Sequence, residues 1–255
     1  MQQGIVAAQM YTVREFAQTP EQYAAALHKV RRMGYTAVET GGCPASPEQL
    51  KAMLDAEGLK LCGTHTGFER LQNDLDAVIA EHRLWQCPNV GIPSMPGQYR
   101  EGGEEAFRRF AREAAEIGKR LKEAGLSLMY HNHSFEFVRF GKLTGLDVIL
   151  QESDPRYLNA EVDVYWVQHG GGDPAAWVRK VTGRMPVVHL KDMVIHNHSQ
   201  IYAEIGEGNI NWDSVLQACR DIGVQYYVVE QDQSLRNPFE SLDISYRFLK
   251  GMGLS

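Results

Sequence analysis

The chain has 255 residues, 44% hydrophobic and 23% charged, with a formal net charge of −6. This is ordinary globular composition, and the acidic balance argues against a broad nucleic-acid surface, which shows a basic stripe. No run of about 18 apolar residues occurs, so no membrane-spanning helix is expected.

The opening stretch MQQGIVAAQMYTVREF lacks a basic segment followed by a long apolar core, so no secretory leader is read. Cys43, Cys62, Cys87 and Cys219 are scattered without CxxC spacing. That pattern favours reduced thiols and a cytoplasmic protein. Cys62 reads as a small buried apolar residue before it reads as a reactive thiol. The basic residues Arg108, Arg109, Arg112, Lys119 and Arg120 are interleaved with acids, as on a solvated helix face.

In chain order, short apolar runs rich in β-branched and aromatic residues begin near Ile5, Ala37, Leu61, Val90, Leu126, Leu158, Val187 and Tyr226. Helical patterns separate them. Their start signals are Thr19-Pro20-Glu21, Ser46-Pro47-Glu48, Asp173-Pro174, Asn211-Trp212-Asp213 and Asn237-Pro238. A cap residue followed by proline suits a helix start, because the missing proline N–H would have no helical partner. Gly34, Gly58, Gly125 and Gly223 stand where helices end and strands follow, and supply the left-handed cap. Eight alternating units predict a parallel sheet closed into a single (β/α)₈ TIM barrel over residues 1–255, the usual size for that fold at about 250 residues. A doubly wound open sheet is the alternative. It would want a GxGxxG loop after the first strand, where the chain reads AAQMYTVREF. The longest irregular stretch, 193–209, is expected to cover the barrel mouth or to form a subunit contact.

Chemistry gathers at the C-terminal ends of barrel strands. Glu136 in LMYHNHSFEF, Asp163 in LNAEVDVYW, His189 in MPVVHLKDM and Glu230 in YYVVEQDQ each lie late in such a run. They recur about once per strand-plus-helix unit, which takes roughly 30 residues. Buried charges are costly unless paired or metal-bound, so the four are read as ligands of one divalent ion. Three carboxylates and one imidazole suit Mn²⁺, with Mg²⁺, Co²⁺ or Zn²⁺ as alternatives.

Substrate contacts are expected from His65 in KLCGTHTG, His133, Trp166, His169 and Lys191. Lys191 lies two residues past His189, hence on the same face. If the fifth strand stays regular through Glu136, its alternation turns His131 and His133 toward the helices. Trp166 offers an apolar platform for a sugar ring. Glu39 in AVETGG is a second-tier candidate on strand two. Gly170, Gly171 and Gly172 read as a flexible turn before they read as a phosphate nest.

Taken together, YHNHSFEF (130–137), EVDVYWVQHGGGDP (161–174), VVHLKD (187–192), EIGEGNINW (204–212) and VVEQD (228–232) resemble the xylose isomerase-like TIM-barrel superfamily. The sugar phosphate isomerase/epimerase and inosose dehydratase-like members are the nearest in pattern. The resemblance implies one divalent metal on Glu136, Asp163, His189 and Glu230, the same four residues. It also implies proton transfer by Glu136 and Glu230 on opposite faces of the substrate. It is compatible with a homo-oligomer. The ketose 3-epimerases carry a histidine three residues after the aspartate, where this chain has Trp166. Endonuclease IV-type members need a three-zinc cluster and a DNA-binding surface, and this acidic chain supplies ligands for one metal.

The expected activity is therefore isomerisation or epimerisation of a sugar through a metal-stabilised enediolate. A lyase or dehydratase acting on a keto-cyclitol or 3-keto-glycoside is the alternative, sharing the first step. A sugar-binding barrel without catalysis is a third reading.

Overall fold

The computed structural model describes residues 4–255; residues 1–3, the start of the N-terminal stretch considered above, lie outside them. Eight strands form one sheet: β1 (Ile5–Gln9), β2 (Ala37–Thr40), β3 (Lys60–His65), β4 (Asn89–Ile92), β5 (Ser127–His131), β6 (Leu158–Glu161), β7 (Val187–Leu190) and β8 (Tyr226–Val229). Their spatial order is β6-β5-β4-β3-β2-β1-β8-β7. Each neighbouring pair is parallel. The ring is nearly closed between β6 and β7, by a parallel bridge between Asp163 and His189. There the His189 N–H donates to the Val162 carbonyl at 3.0 Å. This is the (β/α)₈ barrel expected from the alternation.

Eight larger helices surround the sheet: α1 (Pro20–Met33), α2 (Pro47–Glu57), α3 (Leu75–Trp85), α4 (Gly103–Glu123), α5 (Gly145–Glu152), α6 (Pro174–Lys180), α7 (Trp212–Ile222) and α8 (Pro238–Gly251). The start signals act as read. The side chains of Thr19, Ser46, Asp173, Asn211 and Asn237 each accept a first-turn N–H. Such a cap is worth about 1 kcal/mol. Gly34, Gly58 and Gly223 cap their helices at φ of 114°, 61° and 77°. In α4, a methyl group on Gly118 would lie 1.9 Å from the Tyr157 carbonyl oxygen, so that residue sets how closely the helix packs. No helix among the described residues is long and apolar enough to cross a membrane.

The stretch 193–209 is more regular than the sequence implied. Asp192–His196 and Ser199–Ala203 pair as an antiparallel hairpin. Buried Asp192 holds its return path. Its carboxylate accepts from the backbone N–H of Met193, Gly206, Gly208 and Ile210 and from the Trp212 indole.

Two layers fill the barrel. Ala7, Ala37, Cys62, Met129, Val187 and Val228 form a dry inner cluster. Cys62 is fully buried there and burial pushes its thiol well up, which fits the packing role. One pleat step toward the C-terminal ends, the inward positions turn polar: Gln9, Glu39, His65, His131, Glu161, His189 and Glu230. Strand alternation carries both layers, since inward residues recur every second position, except in β3, where a register shift against β2 makes the step from Cys62 to His65 three residues.

Candidate functional site

The polar layer contains two donor groups that share His189. The outer group is His131, Asp163, His189 and Glu230; the inner group is Glu39, His65, Glu161 and His189. In each group the ligand-type atoms all lie within 4.8 Å of one another.

Asp163, two residues past the end of β6, does two jobs. Its Oδ1 accepts from the Tyr165 and Trp166 N–H groups at 3.0 and 3.2 Å, capping the short helix Val164–His169. Its Oδ2 faces His131 Nε2 at 3.1 Å. Lys191 Nζ lies 3.1 Å from that oxygen, 2.8 Å from Glu230 Oε2 and 2.9 Å from Asp232 Oδ2. Burial alone would lower the lysine pKa, but these three carboxylates outweigh it and raise it well above the usual range. Burial likewise pushes Glu230 up, and Lys191 and His189 outweigh that and hold it well down. At neutral pH the pair is an ammonium and a carboxylate.

In the inner group, His189 Nε2 meets Glu39 Oε2 at 2.5 Å, and His65 Nε2 meets Glu161 Oε2 at 2.9 Å. Gln9 donates to Glu39 Oε2 at 2.7 Å. Burial raises both glutamates, but the imidazoles of His189 and His65 bring Glu39 down to about 2. Glu161, facing the Glu39 charge as well as burial, rises to about 7. Glycine makes this crowding feasible: a Cβ on Gly63 would sit 2.3 Å from Glu39 Oε1, and one on Gly91 would meet His65 and Glu161.

Three of the four expected ligands therefore converge, and Glu136 stands apart. The expectation placed it late in strand five, but β5 ends at His131 and Glu136 lies in a 3₁₀ turn, Phe135–Phe137. There its carboxylate accepts from the Tyr130 hydroxyl at 2.5 Å and the His133 N–H at 2.9 Å. Burial raises it to about 7. The early strand end also reverses the expected parity, so His131 points into the barrel and takes the place beside Asp163.

Of the substrate candidates, His65 belongs to the inner group. His133 and Trp166 form a rim wall with ring centroids 5.3 Å apart. His133 Nδ1 and Trp166 Nε1 are both buried without a hydrogen-bond partner. Exposed His169 flanks Trp166 at 5.3 Å. Tyr165 and Tyr202 stack beside them, so the hairpin forms part of the rim. Glu161 and Asp232 were missed although each lies two residues from a recognised position and hence on its face, the reasoning that did find Lys191.

The donor chemistry fits a divalent ion, with imidazole and carboxylate in both groups. In the outer group an ammonium already bridges Asp163 and Glu230, so an ion there must displace Lys191. In the inner group the positive charge sits on the histidines: burial would lower His189 and His65, but the Glu39 and Glu161 carboxylates beside them raise both, and Glu39 Oε1 and Glu161 Oε1 are buried without a hydrogen-bond partner.

Comparison with known proteins agrees with the architecture. Residues 27–251 match the model of the family described as xylose isomerase-like TIM barrel. An inosose dehydratase of Lacticaseibacillus casei is 22% identical over 253 residues, covering 84% of each chain. Among solved structures, a sugar phosphate isomerase/epimerase from Parabacteroides distasonis superposes with a TM-score of 0.79 at 24% identity, over 98% of both chains. The probable 3-DHS dehydratase AsbF of Bacillus anthracis gives 0.75 at 12% identity, over 96% of this chain and 98% of that one. The chain belongs to the xylose isomerase-like TIM-barrel family.

Proposed function

We propose that the chain is a dehydratase-type lyase acting on a cyclic polyhydroxylated ketone such as a keto-cyclitol or 3-keto-glycoside. The observation that carries this reading is the 2.8 Å contact between Lys191 Nζ and Glu230 Oε2, with Glu136 turned away. Epimerisation by two bases on opposite faces loses the Glu136 partner. Elimination needs a base and an acid, and these lie side by side.

Glu230 removes the proton next to the carbonyl, and the electron pair moves to the carbonyl oxygen. When the carbonyl re-forms, the bond to the β-oxygen breaks. Lys191 gives that oxygen a proton, so it leaves as water, or as an alcohol from a glycoside. The products are the unsaturated ketone and the released group. The proton on Glu230 then returns to Lys191 across their contact. His133 and Trp166 would bind ring hydroxyls through their unpartnered nitrogens. His189 with the carboxylates around it, Glu230 and Asp163 or Glu39 and Glu161, would hold a divalent ion, Mn²⁺ or Zn²⁺ by donor type, which would supply Lewis-acid chemistry there. The names of the inosose dehydratase relative and the 3-DHS dehydratase neighbour support this reading, as does Trp166 at the epimerases' histidine position.

One observation favours isomerisation as a second reading. Glu161 is a further buried carboxyl, raised to about 7, and with Glu230 it would make a two-carboxyl proton relay. NMR in D₂O separates the two reactions. The protein is incubated with keto-inositols, ketoses and 3-keto-glycosides, with and without Mn²⁺. An unsaturated ketone with loss of water or alcohol supports the lyase. A saturated isomer deuterated beside the carbonyl overturns it in favour of the isomerase. No turnover by the parent protein, or full turnover by Glu230→Gln, counts against both.

A further inference from the structure

The superfamily resemblance directs attention to the outer donors, yet the spacing of the donors offers a cation a place one layer deeper. We infer that Glu39, His65, Glu161 and His189 form a tetrahedral divalent-metal site of Zn²⁺ or Co²⁺ type, which shares only His189 with the Asp163–His189–Glu230 set. The assignment goes beyond the proposed reaction and holds whether the chemistry is elimination or isomerisation.

The spacing of the donors is the first argument. His189 Nε2 lies 2.5 Å from Glu39 Oε2 and 3.7 Å from Glu161 Oε1. His65 Nε2 lies 2.9 Å from Glu161 Oε2 and 3.6 Å from Glu39 Oε2. A tetrahedral ion with bonds of roughly 2.0–2.1 Å holds its ligand atoms about 3.3 Å apart. The four distances straddle that value, so small side-chain adjustments admit an ion.

The surroundings supply the second argument. A metal-bound histidine usually donates its other ring N–H to a carboxylate, which fixes the ring and the ligating nitrogen. His189 Nδ1 is 2.9 Å from Glu230 Oε2. Gln9 does the same for the ligating carboxylate of Glu39, at 2.7 Å. The site thus has its supporting hydrogen bonds already in place.

Unsatisfied polarity and charge complete the case. Glu39, Glu161 and His189 are fully buried, and both glutamates carry a buried Oε1 without a hydrogen-bond partner. Buried polar atoms left unpaired are costly. An ion that displaces the protons from His65 and His189 leaves two carboxylates and two neutral imidazoles, which balance one divalent charge. In the outer group, Lys191 already provides a cation between Asp163 and Glu230.

The test is Co²⁺ binding to the metal-depleted, full-length protein, followed by visible absorption and calorimetry. The expected result is one ion with the intense absorption of tetrahedral Co²⁺, displaced by Zn²⁺. Glu161→Gln and His65→Ala should weaken binding on the order of 100-fold. Gln9→Ala, which removes only the hydrogen bond behind Glu39, should weaken it on the order of 10-fold. Asp163→Asn should leave it within about threefold. Circular dichroism confirms that each variant folds, and Gln9→Ala keeps the test available if a ligand variant does not. No tight ion, or an ion lost with Asp163→Asn and unaffected by Glu161→Gln, overturns the assignment. Turnover of a keto-cyclitol with no ion bound would leave the proposed reaction standing and refute this site. The expected binding pattern without turnover would do the reverse.

Discussion

Glu136 is the residue on which the sequence pattern and the folded geometry part company, and its charge state separates them experimentally. The carboxyl is fully buried and burial raises it from the ordinary 4.5 to about 7. A group whose folded pKa lies above its unfolded value favours the fold when protonated, and stability falls as pH climbs through that window. At about 1.4 kcal/mol per pH unit, the fold loses roughly 3 kcal/mol between pH 4.5 and 8. Glu136→Gln keeps the shape and removes the titration. The amide keeps one acceptor for the His133 N–H and turns its NH₂ toward the Tyr130 oxygen, at a cost of about 1 kcal/mol. The variant should therefore exceed the parent by about 2 kcal/mol at pH 8 and match it within about 1 kcal/mol at pH 5. For a chain of this size that is a rise in Tm of about 4–8 °C at the higher pH. Thermal melts in EDTA, followed by far-UV circular dichroism, provide the measurement. A lower Tm for the variant at pH 8 would refute the reasoning, because it would mean that the fold wants a charged carboxylate there, as a metal ligand would be.

Other perturbations test the rest of the site. Lys191→Met leaves Asp163, Glu230 and Asp232 without their shared ammonium, and should destabilise by about 3–5 kcal/mol. Urea denaturation should show a smaller loss at pH 5 than at pH 8, since protonation relieves the repulsion; equal losses would count against Lys191 as the neutralising charge. Trp166→Phe removes the unpartnered indole N–H. It should raise KM for a hydroxylated substrate about tenfold with little change in kcat, and an unchanged KM would exclude the indole as a hydroxyl donor. Asp192→Ala strips acceptors from four backbone N–H groups and the Trp212 indole. A loss of about 2–4 kcal/mol is expected, with limited proteolysis cutting first within 193–209; an unaltered cleavage pattern would show that something else holds the hairpin.

The barrel was legible because its signals are local. Cap-proline pairs such as Thr19-Pro20 and Asp173-Pro174, with glycines such as Gly34 and Gly223, mark helix ends through backbone stereochemistry alone. Apolar runs between them mark strands whatever their neighbours are. Asp163, His189 and Glu230 were read the same way, as polar residues late in apolar strands, and Lys191 from its two-residue spacing to His189. What failed was parity along strand five. Leu128 and Tyr130 face outward and Met129 inward, so His131 follows inward, but nothing in YHNHSFEF states that the strand stops there. The stop is set by the 3₁₀ turn, in which Glu136 bonds Tyr130 and the His133 backbone.

The sequence by itself determined the alternation, the helix starts and the chemical types of the site, because these depend on residues close in the chain. Tertiary structure alone decided which acids share which cations. Glu39 and His189 are 150 residues apart, and only closure of the ring brings them into contact. Electrostatic pairing falls off with distance in space rather than along the chain, so the division into an ammonium-bridged outer group and an inner group of two imidazoles and two carboxylates exists only in the folded barrel.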